Sequence, residues 1–268
     1  MAVNHYENFP VGSVLLPRKF RRPVALIYRF AREADDFADE GDLPEAARLA
    51  RLAAFRREIG RIEAGEPAAI PWFSALGEVI RQHRLPADAF RDLLSAFSQD
   101  VTKTRYSDFD EVLDYCRRSA NPVGRLLLCL YGAPTVQNIS HSDAICSSLQ
   151  LINFLQDVAV DYRKGRIYLP RDEMTRFEIT EEQIAAGDTA GNWRDFMAFQ
   201  VARTRELLHS GAPLGRALQG RTGMEMRMII AGGDRILEKI ARVEGDVFRR
   251  RPVLRAFDWP LMLLRALR

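Results

Sequence analysis

The chain has 268 residues, enough for one large domain and few for two, and 47% of them are hydrophobic while 28% are charged. These proportions are typical of a globular protein with a core and exclude a disordered chain, a collagen and a small disulfide scaffold. The formal net charge is only +3, so charge alone gives no argument for nucleic-acid binding. Four of the 39 basic residues are lysines, and this excess of arginine fits either a GC-rich genome or the binding of anions such as phosphate.

Three cysteines without a CxxC spacing, Cys116, Cys129 and Cys146, fit a reducing compartment and indicate neither a zinc site nor a disulfide framework. The initial residues MAVNHYENFPVGS contain no apolar segment typical of a secretory signal. No apolar stretch approaches the ~20 residues that a membrane-spanning helix needs. We therefore expect a cytoplasmic protein that is either soluble or peripheral on the inner membrane surface.

Apolar residues recur at helical spacing along almost the whole chain, and the alternation typical of strands is almost absent. Pro23 and Gly41 are typical of the start and the end of a first helix. Further helices are predicted at about 44–64, 72–82, 86–99, 108–120, 122–131, 141–162, 181–186, 191–209 and 213–242, with a last one from about Pro252. Thr180 and Gln183 predict a capping box for the helix at 181–186. No polar linker divides the chain, so we predict a single all-α domain over 1–268.

The first chemical signal is an acidic cluster toward the end of the first predicted helix. Asp35 and Asp39 are four residues apart, so their carboxylates project from one face, with Asp36 beside them and Arg32 preceding them. Like charges at this spacing destabilise a helix, and the helix dipole disfavours anions near a C-terminal end. The cluster fits either a solvated acidic surface or a metal site.

A second signal is the polar stripe of Asn153, Asp157 and Asp161, which recur every four residues on a helix that is otherwise apolar. Unpaired carboxylates in such a buried setting would be costly, so a cation should face them. The chain has only four histidines, none at a matching spacing, so Mg²⁺ with oxygen ligands is expected rather than zinc or iron. The alternative to a metal site is that arginines form salt bridges with these carboxylates along the helix.

The basic segment RKGRIY at 163–168 follows this stripe directly. Alone it would be ordinary surface, but beside two acidic motifs it predicts a second contact with a diphosphate. Two acidic helices that face each other across an apolar all-α cavity suggest ionisation chemistry. Mg²⁺ would neutralise a diphosphate leaving group, and a dry pocket would protect the carbocation from water.

The sequence resembles the squalene/phytoene synthases over nearly its whole length. The resemblance lies in YRFAREADDFADEGD at 28–42, YCRRSANPVGRLL at 115–127 and LQLINFLQDVAVDYRKGRIYLP at 149–170. The segments HYENFPVGS, DDFADEGD and SANPVG are most similar to the branch of the bacterial hopanoid pathway. The resemblance implies the class I isoprenoid synthase fold, a helical bundle around a central cavity. It also implies conversion of presqualene diphosphate to hydroxysqualene, between a partner that makes presqualene diphosphate and a flavoenzyme that completes squalene.

By motif position, the resemblance implies two Mg²⁺ sites for two or three ions: Asp35, Asp36 and Asp39 in the first, and Asn153, Asp157 and Asp161 in the second. The implied catalytic residues are Asp35, Asp39, Asp157, Asp161 and Tyr168. The residues implied to bind the substrate are His5, Phe9, Arg32, Tyr115, Asn121, Gln150, Asn153, Arg166 and Arg250. No NADPH is expected, because water rather than hydride would capture the cation.

The chain departs from the wider family pattern at three places. Gln156 stands where phytoene-type relatives carry arginine, SANPVG replaces VAGTVG, and condensing relatives tend to carry a tyrosine near Gly232-Gly233. A glycine pair costs a helix roughly 2 kcal/mol relative to alanines. It marks either a close helix contact or space for a ligand. With Asn121, such space would admit the water that captures the cation.

Other functions remain open within and beyond this class. The protein would alternatively condense two farnesyl diphosphates to presqualene diphosphate or squalene, or make phytoene from C20 units. A non-catalytic helical assembly factor is disfavoured, because such relatives lose motif aspartates and all of them are present here. The tail FDWPLMLLRALR either lies on an anionic membrane or packs on the core as a last helix.

Overall fold

The computed structural model describes residues 15–39 and 43–267, and in this part of the chain every regular element is a helix. The all-α prediction is therefore confirmed. The α-helices in chain order are α1 Arg18–Asp39, α2 Glu45–Ala64, α3 Phe73–His83, α4 Ala87–Thr102, α5 Phe109–Ser119, α6 Asn121–Tyr131, α7 Val136–Gln156, α8 Val158–Arg163, α9 Arg171–Arg176, α10 Glu181–Ala186, α11 Trp193–Ser210, α12 Leu214–Ala217, α13 Gly220–Arg242 and α14 Trp259–Ala266. None of these helices combines the length and hydropathy needed to cross a bilayer.

The described residues form two compact units whose chain segments interleave. Unit 1 takes the chain up to Lys103 together with Arg117–Ile139, and unit 2 takes Thr104–Cys116 and the chain from Ser140 onward. Helices α5 and α7 have residues in both units. The single-domain organisation remains a prediction.

Helix α1 is central to unit 1, where it packs against α2, α3, α4 and α6. Its Phe30 is fully buried, and the ring centroid lies 5.6, 6.0 and 5.0 Å from those of Phe55, Phe73 and Phe90. Such tilted and edge-to-face contacts add to the free energy gained by burying the rings. The buried face of α1 fixes the helix that carries the first acidic cluster.

The start of α1 differs from the prediction. The helix begins at Arg18, directly after Pro17, and Pro23 lies inside it. Proline lacks a backbone N–H, so its preferred place is the first turn of a helix. Here Pro23 is buried in the core of unit 1, and packing outweighs the lost hydrogen bond.

Helix α13 is central to unit 2, where it packs against α11, α12 and α14. The Gly232-Gly233 pair lies at these contacts. A Cβ atom at Gly233 would lie 3.2 Å from the side chains of Leu149, Ile152 and Leu208, and one at Gly232 would lie 3.2 Å from a side chain of α14. The pair therefore allows close helix packing, which was the first of its two interpretations.

Other helices also differ from the sequence predictions. Helix α7 begins at Val136 rather than 141, and the last α-helix begins at Trp259 rather than Pro252. The helix predicted at 141–162 is divided into α7 and α8 at Asp157, and the one predicted at 213–242 is divided into α12 and α13. Helix α9 was not predicted. The Thr180 half of the capping box is confirmed, because the Thr180 hydroxyl accepts a hydrogen bond from the Gln183 backbone N–H at 3.1 Å.

Candidate active site

The first acidic cluster lies on the last turns of α1 and is open to solvent. The Arg32 guanidinium lies 2.8 Å from the Asp36 carboxylate and 3.7 Å from that of Asp35. The side chains of Asp35 and Asp36 are 40% and 44% exposed, so both carboxylates are accessible to a ligand. An arginine of the same helix thus partly neutralises the predicted first metal site.

The second acidic group lies where α7 meets α8. Asp157 leaves the helical conformation, with φ −107° and ψ 14°. Its backbone N–H still donates to the Asn153 carbonyl at 2.9 Å, and its carbonyl accepts from the Asp161 N–H at 2.8 Å. These two bonds keep the four-residue spacing of the predicted stripe across the break.

The cation that faces Asp157 in this structure is Arg251. Its Nε donates to one carboxylate oxygen of Asp157 and its Nη2 donates to the other at 2.8 Å. The hydrogen bond with Asp157 raises the pKa of Arg251, as do the charges of Asp157 and Asp161, against a smaller opposing effect of burial. The adjacent Arg250, which the resemblance implies in substrate binding, is also exposed, and its role remains a prediction.

Gln156 and Asp157, at the end of α7, form hydrogen bonds with Pro252 and Arg251 in the segment after α13. The Gln156 side-chain amide donates to the Pro252 carbonyl at 2.5 Å, and this buried contact brings Arg251 to Asp157. Lys239 on α13 also donates to the Val253 carbonyl at 2.7 Å. Gln156 is therefore a positioning residue for Arg251. The local sequence around Gln156 gives no indication of this role.

The loop that follows α8 is fixed to the chain before α5. The backbone N–H of Ile167 donates to the Thr104 carbonyl at 3.0 Å, and that of Arg171 donates to the Tyr106 carbonyl at 3.0 Å. The Arg166 guanidinium lies 3.4 Å from the Tyr168 hydroxyl, and its backbone N–H donates to the Asp161 carbonyl at 2.9 Å. Arg166 and Tyr168 are therefore held beside the second acidic group.

An aromatic cluster joins two predicted residues, Tyr115 and Tyr168, to two that were missed, Tyr106 and Phe154. The rings of Phe154 and Tyr168 are stacked with centroids 3.9 Å apart, and Tyr115 lies 5.5 Å from Tyr168. Tyr106 also lies 5.5 Å from Tyr168. All four side chains are buried. The aromatic ring at Phe154 follows Asn153 directly, but only the fold shows that it belongs to the cluster.

Phe154 and Tyr168 also line a small cleft within unit 2. Most of its other lining side chains are apolar, and Gln200 and Thr204 are its polar members. The surroundings of the aromatic cluster on this side are therefore mainly apolar.

The remaining predicted residues are distributed between the two units. Gln150 lies half-buried on α7, one turn before Asn153, and Asn121 is buried at the start of α6 in unit 1. His5 and Phe9 lie outside the described residues. Among those described, no three His, Cys, Asp or Glu side chains form a closed metal site. The carboxylate and amide oxygens instead fit an ion that completes its coordination with phosphate oxygens and water.

The chain is similar to synthases of squalene-type and phytoene-type isoprenoids. The family model for squalene/phytoene synthases matches residues 2–258. A hydroxysqualene synthase of Rhodopseudomonas palustris is 38% identical over 87% of this chain and 79% of its own length. A 15-cis-phytoene synthase of Synechococcus elongatus is 30% identical over 99% and 91%. The crystal structure of squalene synthase HpnC from Alicyclobacillus acidocaldarius, 36% identical, superposes with a TM-score of 0.82 over 90% of each chain. The chain therefore belongs to the squalene/phytoene synthase family.

Proposed function

We propose that this protein converts presqualene diphosphate to hydroxysqualene, with Mg²⁺ and with release of diphosphate, as a step of squalene and hopanoid biosynthesis. The observation that carries the proposal is the 38% identity to a hydroxysqualene synthase, against 30% to a phytoene synthase. On this proposal, one protein of the pathway supplies presqualene diphosphate and a flavoenzyme consumes the alcohol.

The proposed metal ligands are the oxygen atoms of Asp35, Asp36 and Asp39 on α1 and of Asn153, Asp157 and Asp161 at the junction of α7 and α8. Carboxylates are the ligands that Mg²⁺ prefers, and the ion usually shares its coordination with phosphate oxygens. Two or three bound ions would neutralise the charge that develops on the leaving diphosphate.

Three arginines are proposed to bind the diphosphate: Arg32, Arg166 and Arg251. Arg32 and Arg251 contact the carboxylates that are the proposed metal ligands. When those carboxylates bind cations, the guanidiniums are released to form paired hydrogen bonds with phosphate oxygens. Asn121 and Gln150 remain predicted substrate contacts.

The aromatic cluster of unit 2 is proposed to stabilise the carbocation. When the ester C–O bond breaks, its electron pair leaves with the diphosphate and the carbon is left positively charged. The faces of Tyr115, Phe154 and Tyr168 would attract that charge, and the apolar walls of the cleft would exclude bulk water. After rearrangement, one water molecule adds its oxygen to the cation and loses a proton, so the reaction consumes no reductant such as NADPH.

The decisive experiment incubates the protein and Mg²⁺ with presqualene diphosphate in one reaction and farnesyl diphosphate in another, with products identified by mass spectrometry. Hydroxysqualene from the first and no product from the second are the expected results. The variant Asp157→Asn should abolish turnover while retaining the helical circular dichroism spectrum. The matched control is Asp110→Asn, on an exposed aspartate in the first turn of α5, which should leave turnover unchanged.

A second candidate function is the condensation itself, either of two farnesyl diphosphates or of two C20 diphosphates to phytoene. The observation that favours it is the match to a phytoene synthase over 99% of this chain. Product from farnesyl or geranylgeranyl diphosphate would establish condensation and would contradict the one-step proposal. Turnover of any of these substrates that survives Asp157→Asn would contradict the proposed metal site.

A further inference from the structure

Exposed apolar side chains are concentrated around α14. Within the described residues, seven large hydrophobic side chains are exposed, and five of them are Phe257, Trp259, Leu263, Leu264 and Leu267. Trp259 is 49% exposed and Leu267 is 67% exposed. Single exposed leucines are common on protein surfaces, but a group of this kind within eleven residues marks an interaction surface.

Helix α14 exposes apolar side chains to solvent and turns its charged side chain, Arg265, toward α13. Trp259, Leu263 and Leu267 follow one another at four-residue spacing, and Pro260 and Leu264 extend the same exposed face. The side chains turned to α13 are the buried Met262 and Ala266. Arg265 lies on the α13 side too, where its guanidinium is 3.3 Å from Asp234 and 2.6 Å from Glu238. This polarity is the reverse of an ordinary surface helix.

The apolar face is held in place by polar contacts at both ends of α14. Before the helix, the fully buried Asp258 carboxylate accepts hydrogen bonds from Arg235, at 2.8 Å, and from Lys239. Near its end, the Arg227 Nε donates to the Ala266 carbonyl at 2.6 Å. These contacts fix α14 in a position that leaves its apolar side chains in water, which is energetically unfavourable.

The charge around α14 identifies the occupant of this face. The last twenty residues, from Arg249, contain six arginines and a single acidic residue, Asp258, which is paired with Arg235 and Lys239. Three of the six arginines are paired with carboxylates outside this segment: Arg249 with Asp246, Arg251 with Asp157, and Arg265 with Asp234 and Glu238. Arg250 and Arg255 are exposed and supply positive charge to this surface. A second copy of the chain would bring two such basic segments together, whereas anionic lipid headgroups complement them. Tryptophan and leucine beside arginine are the residues with which interfacial helices enter a bilayer.

We propose that the outer face of α14, formed by Trp259, Pro260, Leu263, Leu264 and Leu267, docks this protein on the surface of an anionic lipid bilayer. Arg250 and Arg255 contact the headgroups, and the apolar side chains enter the boundary between headgroups and acyl chains. The proposal is independent of the proposed reaction, because it requires neither metal nor substrate.

The test uses the full chain with vesicles of phosphatidylcholine, either alone or with about one third phosphatidylglycerol. Co-sedimentation should be strong only with the anionic vesicles and should weaken as salt is added. Trp259 should report insertion through a blue shift of its emission, since Trp193 is fully buried and Trp72 lies far from α14 in sequence. Trp259→Phe should lose the shift, and Trp72→Phe should retain it.

The double variant Leu263→Ser/Leu264→Ser should lower the vesicle partition coefficient by about 30-fold, because two apolar side chains no longer leave water. The matched control is Val136→Ser, an 88% exposed valine outside this face, which should bind as the wild type does. Point variants are preferable to truncation after Arg255, because truncation removes Asp258 and with it a buried ion-pair partner of Arg235 and Lys239.

Three results would overturn the proposal. Equal partition of the double variant and the wild type would exclude α14 as the docking face. Equal binding to neutral and anionic vesicles would exclude the role of the arginines. A concentration-dependent blue shift of Trp259 without lipid, with no response to vesicles, would assign the face to a second copy of the chain.

Discussion

Gly60 and Gly223 both lie inside helices, yet a methyl group at the two positions would meet opposite surroundings. A Cβ atom at Gly223 would lie 2.0 Å from the Leu218 carbonyl oxygen, which is backbone and cannot move aside, while one at Gly60 would have no neighbour within 4 Å. We therefore expect Gly223→Ala to lower the free energy of unfolding by about 3 kcal/mol. Gly60→Ala should raise it by about 1 kcal/mol. Urea titration followed by circular dichroism measures both, and equal effects would contradict the packing around Gly223.

Arg250 and Arg251 are adjacent arginines with different predicted effects on metal binding. Both side chains are exposed, but Arg251 binds the Asp157 carboxylate through two nitrogens, so a metal ion must displace its guanidinium. A partly exposed pair of this kind contributes up to about 1 kcal/mol, so Arg251→Gln should raise the affinity for Mn²⁺, without substrate, about fivefold. Electron paramagnetic resonance of free Mn²⁺ measures this affinity directly. Arg250→Gln is the control. If only Arg250→Gln raised the affinity for Mn²⁺, Arg251 would not be the residue that competes with the metal ion.

These two arginines also show what the sequence could predict about single residues. The acidic residues could be found from their spacing, because local periodicity determines which side chains share a helix face, whereas Tyr115 and Tyr168 were implied by the family resemblance. The partner of Asp157 could not be found in this way, because Arg251 is 94 positions away in the sequence and no local pattern links the two residues. The same holds for Tyr106, which reaches Tyr168 only through the pairing of two loops.

At the scale of whole elements, α14 depends on one buried carboxylate. Burial alone would raise the pKa of Asp258, but hydrogen bonds from Lys239, Arg235 and the Arg255 backbone lower it to about 2, from an ordinary value of 3.8. A carboxyl whose pKa is lowered by folding stabilises the protein above its unfolded pKa, and this contribution is lost as the pH falls through the folded value. The contribution is about 2 kcal/mol and should disappear between about pH 4 and pH 2.

The variant Asp258→Asn isolates this effect from the other carboxyls. Above about pH 5, it should unfold at least about 2 kcal/mol more easily than the wild type, and the difference should shrink toward pH 2. The free energy of unfolding, measured by urea titration at several pH values, gives the comparison. A difference that stays constant with pH would contradict the lowered pKa of Asp258.

The approximate extent of most helices could be predicted from apolar periodicity, but the residues at which helices begin and end depend on other factors. Pro23 was expected to begin α1, yet burial in the core keeps it inside the helix. The stripe of Asn153 and Asp161 implied an unbroken helix, yet Asp157 leaves the helical conformation between them. Helix α9 has only six residues, too few for a periodic pattern to be read. At Pro23 and Asp157, tertiary contacts outweigh local preference.

For the whole molecule, the two units are linked by shared helices. Helix α5 passes from unit 2 to unit 1 after Cys116, and α7 passes from unit 1 to unit 2 after Ile139. If one unit unfolds completely, α5 and α7 are shortened to the parts that remain in the other unit. Because helix formation is cooperative along the chain, we expect one unfolding transition rather than two.

Hydrogen exchange in increasing urea tests this expectation with peptides from α2 in unit 1 and α11 in unit 2. Both peptides should lose protection at the same urea concentration, because a foldon that spans both units opens as a whole. Gly223→Ala, which lies in α13 of unit 2, should lower that concentration equally for both peptides, and Gly60→Ala in α2 should raise it equally. If Gly223→Ala shifted only the α11 peptide, the units would unfold independently, and the shared helices would have to fray at the two crossing points. Peptides that cover Cys116 and Ile139 would then lose protection first, which separates fraying from a single cooperative transition.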